Sequence, residues 1–170
     1  MISKGLVAIP IAEGVEDLEF HVPKMRLEEI GYKVVAAGLT KEAVIGKNGL
    51  VIAVDVLISE LNGSELAGLI LAGGWAPDKL RRYPEVISLI KEVNAHNKPI
   101  GIICHGGLLA ISADLVKGRP TTGSLGIKDD LVNAGGTWVD KAAFTDGNLV
   151  WGRIVADIPD FCRELAIAFK

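Results

Sequence analysis

Apolar runs alternate with segments that are apolar on one side only, and this alternation predicts the architecture. "GLVAIPIA" (5–12) reads as a buried strand, and "VEDLEFHVPKMRLEEIG" (15–31) as a helix that Gly31 closes. Three acids in the first turn of that helix suit the positive end of its dipole, while Pro23 inside it predicts a distortion. "YKVVAAGL" (32–39) is a second strand. Asn48-Gly49 between the apolar stretches of 43–55 signals a hairpin. "LAGLILAGGW" (66–75) is a strand ending in a double-glycine turn, followed by an amphipathic helix over 83–97. "KPIGIIC" (98–104) is the next strand and "GGLLAISADLV" (106–116) the next helix. The tail carries short strands around "TDGN" (145–148), then a helix with Ile158, Phe161, Cys162, Leu165 and Phe169 on one face.

Strands alternating with helices imply a mostly parallel sheet covered on both faces. A chain of 170 residues suits a single domain over 1–170. Hydrophobic residues make up 49% but aromatics only 5%, so the core is expected from Val, Ile, Leu and Ala. A net charge of −3 without a basic stretch argues against nucleic acid. No apolar run is long enough for a membrane span, and the first strand lacks the pattern of a signal peptide. Two cysteines in different settings make no disulfide framework, so a reducing cytoplasm is expected.

In parallel sheets ligands bind at the carboxyl ends of strands. The double glycine Gly73-Gly74 and the pair Cys104-His105 both fall at such ends. A strand-to-helix turn exposes its central residue beside a helix N-terminus, which favours a thiolate and a lowered pKa. Gly106 and Gly107 permit the bend, although the glycine usual two residues before an elbow nucleophile is Ile102 here. His105 is placed to take a proton, and its amide with those around Gly73 and Gly74 can form an oxyanion hole. Cys162, on an apolar helix face, reads as core.

On the first helix, Val15, Leu18, Val22 and Met25 follow the spacing of a buried stripe, and Glu19 falls on it, whereas Glu16 and Asp17 are placed for solvent. A carboxylate there needs a partner or a proton. Glu19 is therefore either a protonated donor to the Cys104 thiolate or a rim acid. His21 and His96 show no metal-ligand spacing, and no motif calls for a nucleotide, so neither metal nor cofactor is expected. Trp75 suits either a pocket wall or an oligomer contact.

The segments "EGVEDLEFHVPKMRLEEIGYKVVAAG", "LILAGGWAPDKLRR", "KPIGIICHGGLLAISADLVKGR", "IKDDLVNAGGTWVD" and "DGNLVWGR" together resemble the PfpI-type intracellular protease family. That family belongs to the wider ThiJ/PfpI and class I glutamine-amidotransferase-like superfamily. The resemblance implies a three-layer flavodoxin-like α/β sandwich and assembly into dimers or higher oligomers. It also implies Cys104 as nucleophile with His105 beside it and Glu19 hydrogen-bonded to it. Asp78 would be an acid orienting the histidine of an adjacent subunit. Three stretches depart from the family pattern: "CHGG" at the elbow, "TTGSLGIKDD" after it, and "VWGRIVADIPDF". The last two are expected to border the pocket and to affect substrate choice. Activities implied are glyoxalase or deglycase chemistry on 2-oxoaldehydes or early glycation adducts, and peptide hydrolysis. A non-catalytic redox sensor using Cys104 stays open beside them. No histidine follows His105, which argues against a glutamine-amidotransferase triad.

Overall fold

The structure is a computed structural model that describes residues 3–170. Strand β1 (Leu6–Pro10) leads to helix α1 (Asp17–Glu29), strand β2 (Lys33–Gly38), the hairpin β3 (Val44–Ile45) and β4 (Val51–Ile52), and strand β5 (Val56–Leu57). Next come β6 (Gly68–Leu71), α2 (Ala76–Leu80), α3 (Pro84–Ala95), β7 (Ile100–Ile103) and α4 (Gly107–Ser112). The chain finishes with β8 (Pro120–Thr121), α5 (Lys128–Asn133), β9 (Thr137–Trp138), β10 (Ala143–Asp146), β11 (Leu149–Gly152) and α6 (Ile158–Ala168). The main sheet runs in the order β10-β11-β7-β6-β1-β2-β5. Every pairing in it is parallel except β10 with β11. Helices α1 and α6 pack together against it, and α2, α3, α4 and α5 form a second group around β6 and β7. This is the flavodoxin-like sandwich expected.

Strands β6, β7 and β11 are buried along their whole length, which is why they read as unbroken apolar runs. The core is aliphatic as expected, and Ile158, Phe161, Cys162 and Leu165 of α6, with Phe169 just beyond its end, are all buried in it. A Cβ on Gly68 would lie 2.6 Å from the Phe169 ring, and one on Gly101 or Gly152 would press on Phe161. Glycines on the strands thus make room for the few large rings that α6 brings. No helix among the described residues is long and apolar enough to cross a membrane.

Three expectations are corrected. Helix α1 crosses Pro23 without a break, but its buried residues are Asp17, Glu19, Phe20, Pro23 and Leu27. Leu18, Val22 and Met25 face outward instead, with Met25 66% exposed. Three apolar residues in register marked a stripe, yet the stripe is on the side away from the sheet. Glu16 and Asp17, expected in solvent, are buried because the 44–52 hairpin folds over them. Asp17 accepts the amides of Asn48 (2.7 Å) and Leu50 (2.9 Å), and Lys47 donates to the Val15 carbonyl. Burial pushes the Asp17 carboxyl up, but these amides outweigh it and hold it below its usual range. Finally, the helix after Cys104 is shorter than 106–116: a 3₁₀ turn over Cys104–Gly106 precedes α4.

Candidate active site

Strands β6 and β7 run side by side in register, Leu71 opposite Ile102, so the turns that follow them meet. The Gly73-Gly74 turn thereby lies against the Cys104-His105 turn, and an isolated bridge between Val15 and Gly74 brings in the start of α1. Three elements distant in sequence converge at the strand ends, beside the point where the chain switches direction around β1.

Backbone strain falls on Cys104. Cys104 has φ +56°, in the left-handed region that a side-chain-bearing residue rarely adopts. The neighbouring glycines supply space. A Cβ on Gly106 would sit 2.1 Å from the Leu71 carbonyl oxygen. One on Gly73 would sit 2.5 Å from Glu19 Oε2 and 2.9 Å from Cys104 Cβ. Gly74 has φ +76° and lies close against the backbone of Gly14 and Glu16.

The amides of His105 and Gly74 and the Glu19 carboxyl lie close enough to the sulfur of Cys104 to act on its charge. The third expected amide, that of Gly73, serves Glu19 instead, donating to Oε2 at 2.6 Å. Nδ1 of His105 stands 3.4 Å from Sγ. Glu19 is fully buried, and burial pushes its carboxyl up to about 7 against the Gly73 amide, with the Glu16 charge adding to the rise. The thiol differs from the expected low-pKa thiolate. Burial, then the charge of an ionised Glu19, push it up to about 12, and the two amides only partly offset this. Carboxyl and thiol therefore compete for one negative charge, and protonating Glu19 removes the like charge that opposes the thiolate. Burial and the nearby charge of Lys47 lower His105, against a smaller opposing effect of Asp130, which leaves the imidazole neutral and able to take a proton.

These groups line a cleft of about 300 Å³ walled by Glu16, Lys47, Trp75, Ser124, Ile154 and neighbouring residues. Trp75 stands on the wall, two-thirds exposed, its amide bonded to the Gly14 carbonyl. Ser124, Ile154, Val155 and Ala156 come from the two stretches that depart from the family pattern, so both do border the pocket. Glu16 and Lys47 were not foreseen. The clue available was the Asn48-Gly49 hairpin signal next to an acid-rich helix start. Asp78 is elsewhere: it lies on the surface at 66% exposure and pairs with Arg82, one turn on. Cys162 is buried core under α6, and both cysteines are free.

A DJ-1/PfpI family profile matches residues 6–168. A deglycase of Pyrococcus abyssi is 37% identical over 164 residues, 96% of this chain and 99% of the relative. Deglycase PfpI of Pyrococcus furiosus is 36% identical over 159 residues, 94% of this chain and 96% of the relative. Among solved structures, a two-domain protein of Anabaena variabilis with DJ-1/ThiJ/PfpI-like and ferritin-like domains is similar with TM-score 0.93 at 36% identity. That match covers 96% of this chain and 48% of the other. Schizosaccharomyces pombe DJ-1 shares the fold with TM-score 0.86 at 20% identity, covering 95% of this chain and 90% of its own. The chain belongs to the DJ-1/PfpI family.

Proposed function

We propose that the protein is a cysteine-dependent, cofactor-independent enzyme that acts on carbonyl compounds, 2-oxoaldehydes or their early glycation adducts. The observation that carries this reading is the sulfur of Cys104, held at positive φ among two amides, a buried carboxyl that shares its charge, and a neutral imidazole. The deglycase names of relatives covering nearly the whole chain support the same class.

The chemistry follows from the geometry. With Glu19 protonated, the thiol proton passes to His105 and Sγ attacks the aldehyde carbon of a 2-oxoaldehyde. The C–S bond forms as the carbonyl π bond breaks, and the amides of Gly74 and His105 stabilise the oxygen anion. Glu19 gives its proton to that oxygen, which yields a hemithioacetal and leaves the carboxyl ionised. Removal of the hydrogen from the sulfur-bearing carbon gives an enediolate, and return of a proton to the adjacent carbon, with the hydroxyl proton moving from the first oxygen to the second, gives a 2-hydroxyacyl thioester. The net change is internal to the substrate, so no outside oxidant is needed. Ionised Glu19 and His105 are placed for these transfers. Water then releases a 2-hydroxy acid and regenerates the thiol. The small cleft suits such a substrate better than an extended peptide. Because the thiol must stay free, we place the protein in a reducing compartment.

Incubation with methylglyoxal without added thiol, following substrate loss and lactate, tests the reading. Turnover by wild type that is absent from Cys104→Ser supports it. No turnover from a folded protein whose Cys104 alkylates normally would overturn it and leave the peptidase and redox-sensor alternatives.

Assembly belongs to the same proposal. The outward stripe of Leu18, Val22 and Met25 on α1 offers a face for a second copy, and Asp78, paired with Arg82 on the surface away from the cleft, would have to meet His105 across subunits. Asp78→Asn should then lower turnover about tenfold while changing the melting temperature little. Unchanged turnover would overturn this role for Asp78.

A further inference from the structure

Four buried polar side-chain atoms among the described residues lack a hydrogen-bond partner, and two of them belong to carboxyls that wall the cleft: Glu16 Oε2 and Glu19 Oε1. Glu19 acts on the thiol. Glu16 bears on that chemistry only through its charge, which helps to raise Glu19, yet the fold holds it with care. Its side chain is 4% exposed, and Oε1 accepts the Asn48 side-chain amide at 2.9 Å. Asn48 is fixed in turn because its backbone amide donates to the buried Asp17, and a Cβ on Gly46 would collide with that carboxylate. The hairpin thus pins one oxygen of Glu16 and leaves the other buried and unpartnered, on a residue that lines the reactive cleft. Lys47, from the same hairpin, stands in that wall and forms no ion pair among the described residues, and its charge acts on Glu19 and His105. A buried acceptor without a donor is costly, and a bound molecule can supply the donor.

We propose that Glu16 is a substrate-positioning residue whose free oxygen accepts a hydrogen bond from a hydroxyl or amine on the carbon beside the reacting carbonyl. The inference rests on the carbonyl reading above and narrows it. The preferred substrates carry a donor next to the carbonyl, as hydroxyaldehydes and carbinolamine adducts do, rather than bare aldehydes. A substrate held this way enters with its carbonyl carbon turned toward Sγ.

The test reads binding at Cys104 and does not require turnover. An aldehyde that adds to the thiol, its carbon bonding to sulfur and the thiol proton moving to its oxygen, shields the cysteine from iodoacetamide. Protection of Cys104 is measured by mass spectrometry with 2-hydroxypropanal and with 2-methoxypropanal, which lacks the donor. Each value is corrected for that aldehyde's adduct with N-acetylcysteine. In wild type, half-protection by 2-hydroxypropanal is expected at about tenfold lower concentration, the size of one hydrogen bond to a charged group. In Glu16→Gln, where Asn48 holds the amide oxygen and the amide nitrogen faces the cleft, the ratio should fall to about one. Equal protection in wild type overturns the proposal without any variant. A ratio that survives in Glu16→Gln overturns it too, because another acceptor would then be responsible. If neither aldehyde protects a thiol that alkylates normally, both this proposal and the carbonyl reading fail. Selective protection without methylglyoxal turnover would sink the proposed reaction alone.

Discussion

Cys104 and Cys162 are the same residue in two environments that burial alone does not distinguish. Burial pushes both thiols above their ordinary range, Cys104 up to about 12 and Cys162 up to about 11. What differs is the company each keeps. Cys162 lies among α6 side chains facing the sheet, with nothing near it that could hold an anion except the modest influence of Arg26. Cys104 has two amides, a neutral histidine and a carboxyl that can take up or give away the charge. An anion at the Cys104 sulfur has partners that one at Cys162 lacks, and burial is not what separates the two.

The sharpest way to break the comparison is to remove each sulfur. Cys104→Ser should lower methylglyoxal turnover by at least about a thousandfold, with circular dichroism and melting temperature close to wild type. Gly73→Ala comes next. Its Cβ would press on Glu19, on Cys104 and on the His105 amide, so turnover should fall about a hundredfold without a matching loss of fold, measured by kinetics beside a thermal melt.

Glu19→Gln separates burial from charge. The folded carboxyl titrates near 7, above the ordinary value of 4.5, so between those values the native chain holds a proton that the unfolded chain has lost. The stability this position contributes is full below 4.5 and is lost as pH rises through 7. Denaturant titrations across that range should show Glu19→Gln gaining on wild type by up to about 3 kcal/mol, and parallel curves would contradict the raised carboxyl. The smallest effect belongs to Cys162→Ala, which should cost about 1 to 2 kcal/mol of stability from lost packing and leave kcat/KM unchanged. A loss of activity there would erase the distinction between the two cysteines.

Much of this molecule was legible in the order of its residues. The buried strands are apolar throughout, and the elbow announces itself because Cys, His and two glycines follow a strand that has no other reason to end so sharply. Glu19 was found on a wrong argument: it is buried, but with Phe20, Pro23 and Leu27 and not with Leu18, Val22 and Met25. Helical periodicity locates a stripe, and it does not say whether a sheet or a second copy covers it.

By itself the sequence determined the alternation of strands and helices, the aliphatic core and the identity of the thiol turn, because each depends on residues adjacent in the chain. Only the tertiary structure decided that the strain sits on Cys104, that the Gly73 amide serves Glu19 and that Glu16 walls the cleft beside an exposed Lys47. It also decided that Asp78 lies outside the cleft of its own chain. These depend on distances between segments that the chain brings together only by folding, and on the low-dielectric burial that makes one shared charge count.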